Sequence, residues 1–364
     1  MSEAVAIRSA EALEKLALLR TALDQAGAGA IRLRGTDWFA WITAGGSNTV
    51  LMAAETGVAE VLVSREEACV LTDEIEAQRL RDEEIPPGFA FHVVPWAELE
   101  LRERYVLEVA DGRPVLSDRP VAAEQALPAA LRQRRLVLSS DEQERYRALG
   151  RESAEAMTEV LHLARPDWTE YDLAGAGAQA LWRRGIHPAL VLVAGERRLP
   201  LYRHATPSGE RLGQRAMLVF CARRHGLYAN LTRFVSFGPA SGDQQDLMAV
   251  EATGLAAIKP GNSLSAVYFA FEQAYRHANR PDAIREHHQG GITGYLSREI
   301  VATPYTATEL ETGMAFAFNP SFVGTKIEDT FVLGADGLEN LTCDPAWPAL
   351  EVQGRKRPLW LEVT

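Results

Sequence analysis

The stretch from His287 to Glu328 constrains the fold most. It opens on His287-His288-Gln289-Gly290-Gly291, passes through Ser297-Arg298-Glu299 and the turn-like Leu310-Glu311-Thr312-Gly313-Met314, and ends in Ile327-Glu328-Asp329-Thr330. A glycine pair between polar motifs marks a place where backbones approach closely, because no Cβ intervenes. Histidine, arginine and glutamate gathered beside such glycines imply a polar pocket. Met314–Phe318 and Ile327–Leu333 are apolar enough to be strands that flank it.

The 364-residue chain is long enough for two domains and a large core. Its formal net charge of -11 excludes nucleic acid as the main partner, since phosphate binding needs a basic face. No apolar run approaches the ~20 residues of a membrane span. The start, Met1 to Leu16, has the look of an amphipathic helix and lacks the basic and apolar regions of a signal peptide. Cys69, Cys221 and Cys343 are odd in number and far apart, which suits reduced thiols and a cytoplasmic location.

In order, Leu13, Leu16, Leu19 and Leu23 predict a helix over residues 8–27. Asp37–Ile42, Val61–Val63, Cys69–Thr72 and Phe89–Val94 are strand-like, with a helix over Glu74–Asp82; such alternation indicates an α/β domain. Asp111–Ala130 is rich in turn residues and reads as the end of that domain plus a linker. A second domain starts near residue 136 with a short strand, Leu136–Leu138. A capping box at Ser140–Gln143 and a helix running to Pro166 follow. Thr169–Asp172 caps the next helix, which stops at Gly185. Strands are expected at Leu190–Val193, Met217–Ala222 and Tyr228–Phe237, and helices over Gln244–Ile258 and from Ser263 or Ser265. The C-terminal Pro358–Val363 reads as a last strand or an arm.

Along residues 140–345 these motifs resemble the creatinase, aminopeptidase P and methionine aminopeptidase superfamily (peptidase M24-like, the pita-bread fold). The carriers are Ile258-Lys259-Pro260-Gly261, Asn230-Leu231-Thr232-Arg233, Leu310–Met314, Asn319-Pro320, Ile327–Thr330 and Glu339-Asn340-Leu341-Thr342, six motifs in order with similar gaps. The resemblance implies an α/β (α+β) chain, with a pita-bread catalytic domain over 136–364 and a smaller creatinase/prolidase-like domain over 1–135. It also implies a homodimer in which the smaller domain reaches the partner's site. Peptidases of this superfamily hold two metal ions on Asp, Asp, His, Glu and Glu. Carried over, those positions fall on Val219, Asn230, His288 (or His287), Asn319 and Glu328, so three carboxylates are missing. Hard and borderline divalent ions need such oxygen ligands. The expectation is therefore no metal and no cofactor, as in creatinase-type members. In them a histidine is the acid-base group, and here it falls on His204. Ser297-Arg298-Glu299 resembles their Gly-Arg-Glu segment.

The residues fit that chemistry. Histidine exchanges protons near neutrality, so His204, His288 and Glu328 are the expected catalytic residues, with His288 rather than His287 turned inward. Arg298 suits a substrate carboxylate through two parallel hydrogen bonds. Tyr295 could donate to an oxyanion, although a satisfied core tyrosine is its commoner role. His287, Asn230 and Asn319 would line the pocket. Glu328 has a plainer role, as a strand-face partner of Lys326. The function expected is metal-independent cleavage of a C–N bond (amidine, guanidino, lactam or amide) in a small carboxylate-bearing compound. Competing readings are an inactive binding module, an Xaa-Pro-type metallopeptidase with an atypical site, and a lyase.

Overall fold

The computed structural model describes residues 3–240 and 244–363, so Met1 and Ser2 of the expected N-terminal helix lie outside the described residues. The chain divides into two compact units, Met1–Arg135 and Leu136–Thr364. No helix among the described residues is long and apolar enough to cross a membrane.

The first unit runs α1 (Glu3–Gln25), β1 (Ala30–Gly35), α2 (Thr36–Ile42), β2 (Thr56–Val63), β3 (Ala68–Asp73), α3 (Ala77–Arg79) continuing into a π turn, β4 (Ala90–Val94), α4 (Glu100–Ala110), β5 (Val115–Ser117), β6 (Gln125–Ala126) and α5 (Ala129–Arg135). Its six strands form one sheet in the order β4-β3-β2-β1-β5-β6. Two expectations fail here. Asp37–Ile42 is helix α2, with every residue buried; a short apolar run does not by itself distinguish a buried helix from a strand. The strand lies just before it. Arg32 and Arg34 hide β1 from a hydropathy reading, yet both are buried, because Glu60 and Glu103 (2.5 Å each) pair with Arg32 and Glu124 (2.5 Å) pairs with Arg34. The segment read as a linker also supplies β5 and β6, which extend the sheet beside β1.

The second unit begins with α6 (Ser140–Leu163) and α7 (Glu170–Trp182), then β7 (His187–Gly195), β8 (Arg215–Arg224) and β9 (Leu227–Ser236). Next come α8 (Gln244–Ala256), α9 (Leu264–His277), α10 (Ala283–Glu286), β10 (Gly290–Thr293), β11 (Ile300–Val301) and β12 (Ala315–Phe318). The unit closes with β13 (Ser321–Phe322), β14 (Thr325–Lys326), β15 (Asp329–Gly334), β16 (Gly337–Asn340), β17 (Ala349–Val352), β18 (Arg355–Pro358) and β19 (Leu361–Glu362). The cap of α6 sits one residue earlier than the sequence suggested. Ser139 accepts from the Glu142 amide (3.2 Å) and its own amide donates to the Glu142 carboxylate (2.7 Å); such a cap is worth about 1 kcal/mol. Thr169 and Asp172 form the expected box on α7. Leu136–Leu138 makes only one bridge, Val137 to Met314, and is not a strand.

Two sheets carry this unit, one ordered β19-β9-β8-β7 and the other β11-β10-β12-β15-β16. The C-terminal segment is a strand, parallel to β9. Phe271, Phe316, Phe318, Phe331 and Leu264 centre an apolar core built by α8, α9 and the second sheet. Among the described residues the sheets are joined by an isolated bridge, Thr232 to Glu328, where the Thr232 amide donates to the Glu328 carbonyl (3.1 Å), and by Thr330 on Asn230. Within the second sheet, Gly290 lets β10 lie close against β12. Its φ is +96°, and a Cβ there would stand 2.1 Å from the Ala317 carbonyl oxygen, so only glycine fits.

Candidate functional site

The sheet junction fixes Glu328. Next to it, Asp329 pairs with Arg233 (2.7 Å) and Arg357 (2.8 Å), and Arg357 forks onto Glu251 through two 2.6 Å hydrogen bonds. Arg357, Glu251 and Asp329 are buried. A buried charge left unpaired costs several kcal/mol, so this network pins the strand on which Glu328 stands. Asp329 is thus structural.

Both oxygens of Glu328 are occupied. Arg298 donates to Oε1 (2.7 Å), while Lys326 (3.0 Å) and the Thr232 hydroxyl (2.7 Å) donate to Oε2. Burial pushes this carboxyl up, but Lys326, Arg298 and Thr232 outweigh it and hold the acid at about 2. Glu328 is therefore an anion at neutral pH, and it carries no proton to donate. The plainer reading of Glu328, as the partner of Lys326, matches this geometry, and it also anchors Arg298. Lys326 and Thr232 were not singled out by the sequence as pocket residues. The signal was the alternation along one strand face, which sets Lys326 and Glu328 side by side.

Beside this ionic group lie three histidines. His287 Nε2 is 2.9 Å from His204 Nε2, and His287 Nδ1 is 2.5 Å from the His288 carbonyl oxygen. A carbonyl only accepts, so Nδ1 of His287 carries the proton. Its Nε2 then offers a lone pair, and His204 Nε2–H donates to it. This leaves Nδ1 of His204 as the free base. Arg203 and Glu286, each next to one of these histidines, form an ion pair that ties the two segments together. The expected orientation of the adjacent pair is reversed. His287 is buried and His288 exposed. Their rings stack at 4.4 Å instead of facing opposite ways, because His287 closes α10 and the regular strand begins only at Gly290.

Burial, then Lys326, pull the His204 pKa down, with Glu328 opposing. Burial and Lys326 lower His287 to about 3; burial and Arg298 lower His288 to about 4. The three imidazoles are neutral at pH 7, so Arg298, Lys326 and Glu328 leave the site one net positive charge.

The remaining expected residues divide. Arg298 reaches Glu328, not Glu299 or Glu309, and its Nε is buried with no partner. Asn230 is buried; its Nδ2 donates to Thr293 (3.1 Å), and its Oδ1 has no partner. Asn319 is also buried with an unpartnered Oδ1. Tyr295 does not fit the oxyanion reading. It is buried and its hydroxyl donates to Glu142 Oε1 (2.6 Å) in α6, the core role weighed against that reading.

Residues 144–335 match the metallopeptidase family M24, and the chain belongs to that family. The match to solved structures is one of fold. The Xaa-Pro dipeptidase from Bacillus anthracis superposes with a TM-score of 0.75 at 19% identity, over 92% of this chain and 98% of that one. The X-Pro aminopeptidase from Thermotoga maritima gives 0.76 at 17% identity, over 95% and 99%. The N-terminal domain of the FACT complex subunit SPT16 from Cicer arietinum gives 0.67 at 14%, over 91% and 95%. Curated protein sequences gave no match.

A paired metal centre is what the family's description implies, and the donor set here does not fit one. Val219 is an aliphatic residue of a buried cluster, and Asn230 and Asn319 offer neutral amide oxygens. Glu328 has both oxygens committed to cations and a hydroxyl. Two divalent ions would meet one carboxylate and two fixed positive charges.

Proposed function

We propose that the protein is a metal-independent hydrolase that cleaves a C–N bond in a small compound bearing a carboxylate, with His204 as general base and then general acid. The hydrogen-bonded chain from His204 through His287 to the His288 carbonyl carries this reading. It leaves Nδ1 of His204 as the acceptor and sets His287 to stabilise the imidazolium that forms.

Water loses a proton to His204 Nδ1 as its oxygen bonds to the carbon of the C–N group. The tetrahedral adduct then collapses, and His204 returns that proton to the leaving nitrogen as the C–N bond breaks. No electrons are exchanged with any third party. Groups of this kind contribute 10²- to 10⁴-fold in rate. The net positive charge supports an anionic substrate, with Arg298 and Lys326 facing the carboxylate and Glu328 holding both cations in place. The buried oxygens of Asn230 and Asn319 suit N–H donors. His288, exposed like His204, would contact substrate. By analogy with the superfamily, the working form is a cytoplasmic homodimer.

The test is a panel of N-acyl amino acids, guanidino acids, lactams and cyclic amidines, read by amine or ammonia release from chelator-treated protein. His204→Ala should keep binding of the active compound and lose turnover at least a hundredfold. Unchanged turnover in that variant removes His204 from the reaction. Binding without turnover in the native protein would favour the binding-module reading, which the missing carboxylates also suit.

A further inference from the structure

The three imidazoles do more than relay a proton. One ligand nitrogen from each of His204, His287 and His288 lies within 4.8 Å of the others. These residues come from two segments, the loop after β7 and the stretch between α10 and β10. Imidazoles bind zinc at about 2.0–2.1 Å, which sets ligand atoms roughly 3.4 Å apart in a tetrahedral site. The 2.9 Å between His204 Nε2 and His287 Nε2 is already inside that spacing, and two of the three rings are exposed and have room to adjust. His287 also has the supporting contact typical of a ligand: its far nitrogen donates to a backbone carbonyl, which fixes the tautomer and aims Nε2 inward. The ion pair of Arg203 and Glu286 holds the two ligand-bearing segments together.

We propose that His204, His287 and His288 form a site for a single borderline transition cation, such as Zn²⁺, Ni²⁺ or Cu²⁺, which shares one histidine position with the family's paired centre but uses none of its carboxylate positions, and that its occupation blocks the proton chemistry of His204. The three ligands are neutral and all nitrogen, which selects ions bound strongly by imidazole over Mg²⁺ and Ca²⁺. The nearby Arg298 and Lys326, only half offset by Glu328, raise the selection against hard cations, which have little covalent bonding to overcome that repulsion. The ion and the proton pathway compete because Nε2 of His287 cannot both accept from His204 and bind a metal. The binding claim stands on this geometry alone; the inhibitory consequence rests on the proposed hydrolysis.

Metal-depleted full-length protein is titrated with Zn²⁺ against a chromophoric chelator, and separately with Co²⁺ while its visible absorption is read. The expected result is one ion per chain, with Mg²⁺ not competing. His204→Ala and His288→Ala change exposed side chains and should keep the fold; each should weaken Zn²⁺ at least tenfold, and the double variant should abolish the cobalt bands. His162→Ala, an exposed histidine elsewhere, should change nothing. Absence of Zn²⁺ binding, or equal binding by the double variant, overturns the site. With an active compound in hand, stoichiometric Zn²⁺ should inhibit and chelator should restore turnover. A bound ion that leaves turnover unchanged overturns the competition, and one required for turnover overturns both the competition and the metal-independent reading.

Discussion

Replacing Glu328 by Gln removes the charge around which the site is built. The carboxyl titrates at about 2 in the fold against 4.5 for an ordinary glutamate. At about 1.4 kcal/mol per tenfold, the fold favours the ionised form by about 3 kcal/mol. The amide would keep the shape but leave Lys326 and Arg298 facing each other without an anion, and breaking a buried pair in this way costs about 3–5 kcal/mol. For a unit of this size, 3 kcal/mol corresponds to a drop of roughly 6–12 °C in the melting temperature. The pH dependence has a definite sign. A depressed carboxyl pKa stabilises fully above the unfolded value, and that stability is lost as pH falls through 4.5 toward 2. Calorimetry at pH 7 should therefore show the full gap between native protein and Glu328→Gln, and the gap should narrow steadily below pH 4.5. Adding Lys326→Met to Glu328→Gln should recover part of the loss. A variant as stable as the native protein at pH 7, or a gap independent of pH, would refute the claim that Glu328 is a buried anion held by two cations.

Other consequences follow from the same geometry. Tyr295→Phe should cost about 1–3 kcal/mol in denaturant unfolding, because the buried Glu142 carboxylate loses one of its donors, while turnover of any active compound stays within a few-fold. Arg357→Met should destabilise by about 3–5 kcal/mol, since it strands Glu251 and leaves Asp329 only Arg233 and the Thr342 hydroxyl, both on one oxygen; a change under 1 kcal/mol would contradict the role given to that network. Gly290→Ala should fail to give folded protein, because its Cβ has no space beside Ala317; a normal near-ultraviolet dichroism spectrum would contradict it. Nitrogen-resolved NMR of the histidines should show His287 and His288 neutral down to about pH 4, with the proton of His287 on Nδ1. The acid limb of the rate profile should accordingly fall below pH 6.5, the ordinary value from which His204 is lowered.

Much of the second unit was legible because its signals are local. The cap at Thr169, the α6 cap (read one residue late, at Ser140), the apolar runs of β8, β9 and β12, and the proline and glycine stops each need only a few adjacent residues. The junction of His204, His287 and Glu328 could be expected only through the resemblance, since these residues are separated by long stretches of sequence. What stayed hidden depends on pairing across the chain. Arg32 and Arg34 look like surface residues until Glu60, Glu103 and Glu124 arrive from other elements. Thr232 looks like an ordinary strand threonine until β9 brings its hydroxyl to Glu328. Tyr295 could be read two ways because nothing near it in sequence points to Glu142. The inward turn of His287 rests on the end of α10, a boundary too short to show periodicity.

The central claim is that protonation at His204, and no paired metal centre, runs the chemistry. Elemental analysis of the chelator-treated protein beside its turnover tests it most directly. The account predicts full turnover with no bound divalent metal, lost in His204→Ala. Two firmly held ions per chain, with activity that disappears on their removal and returns with them, would contradict it.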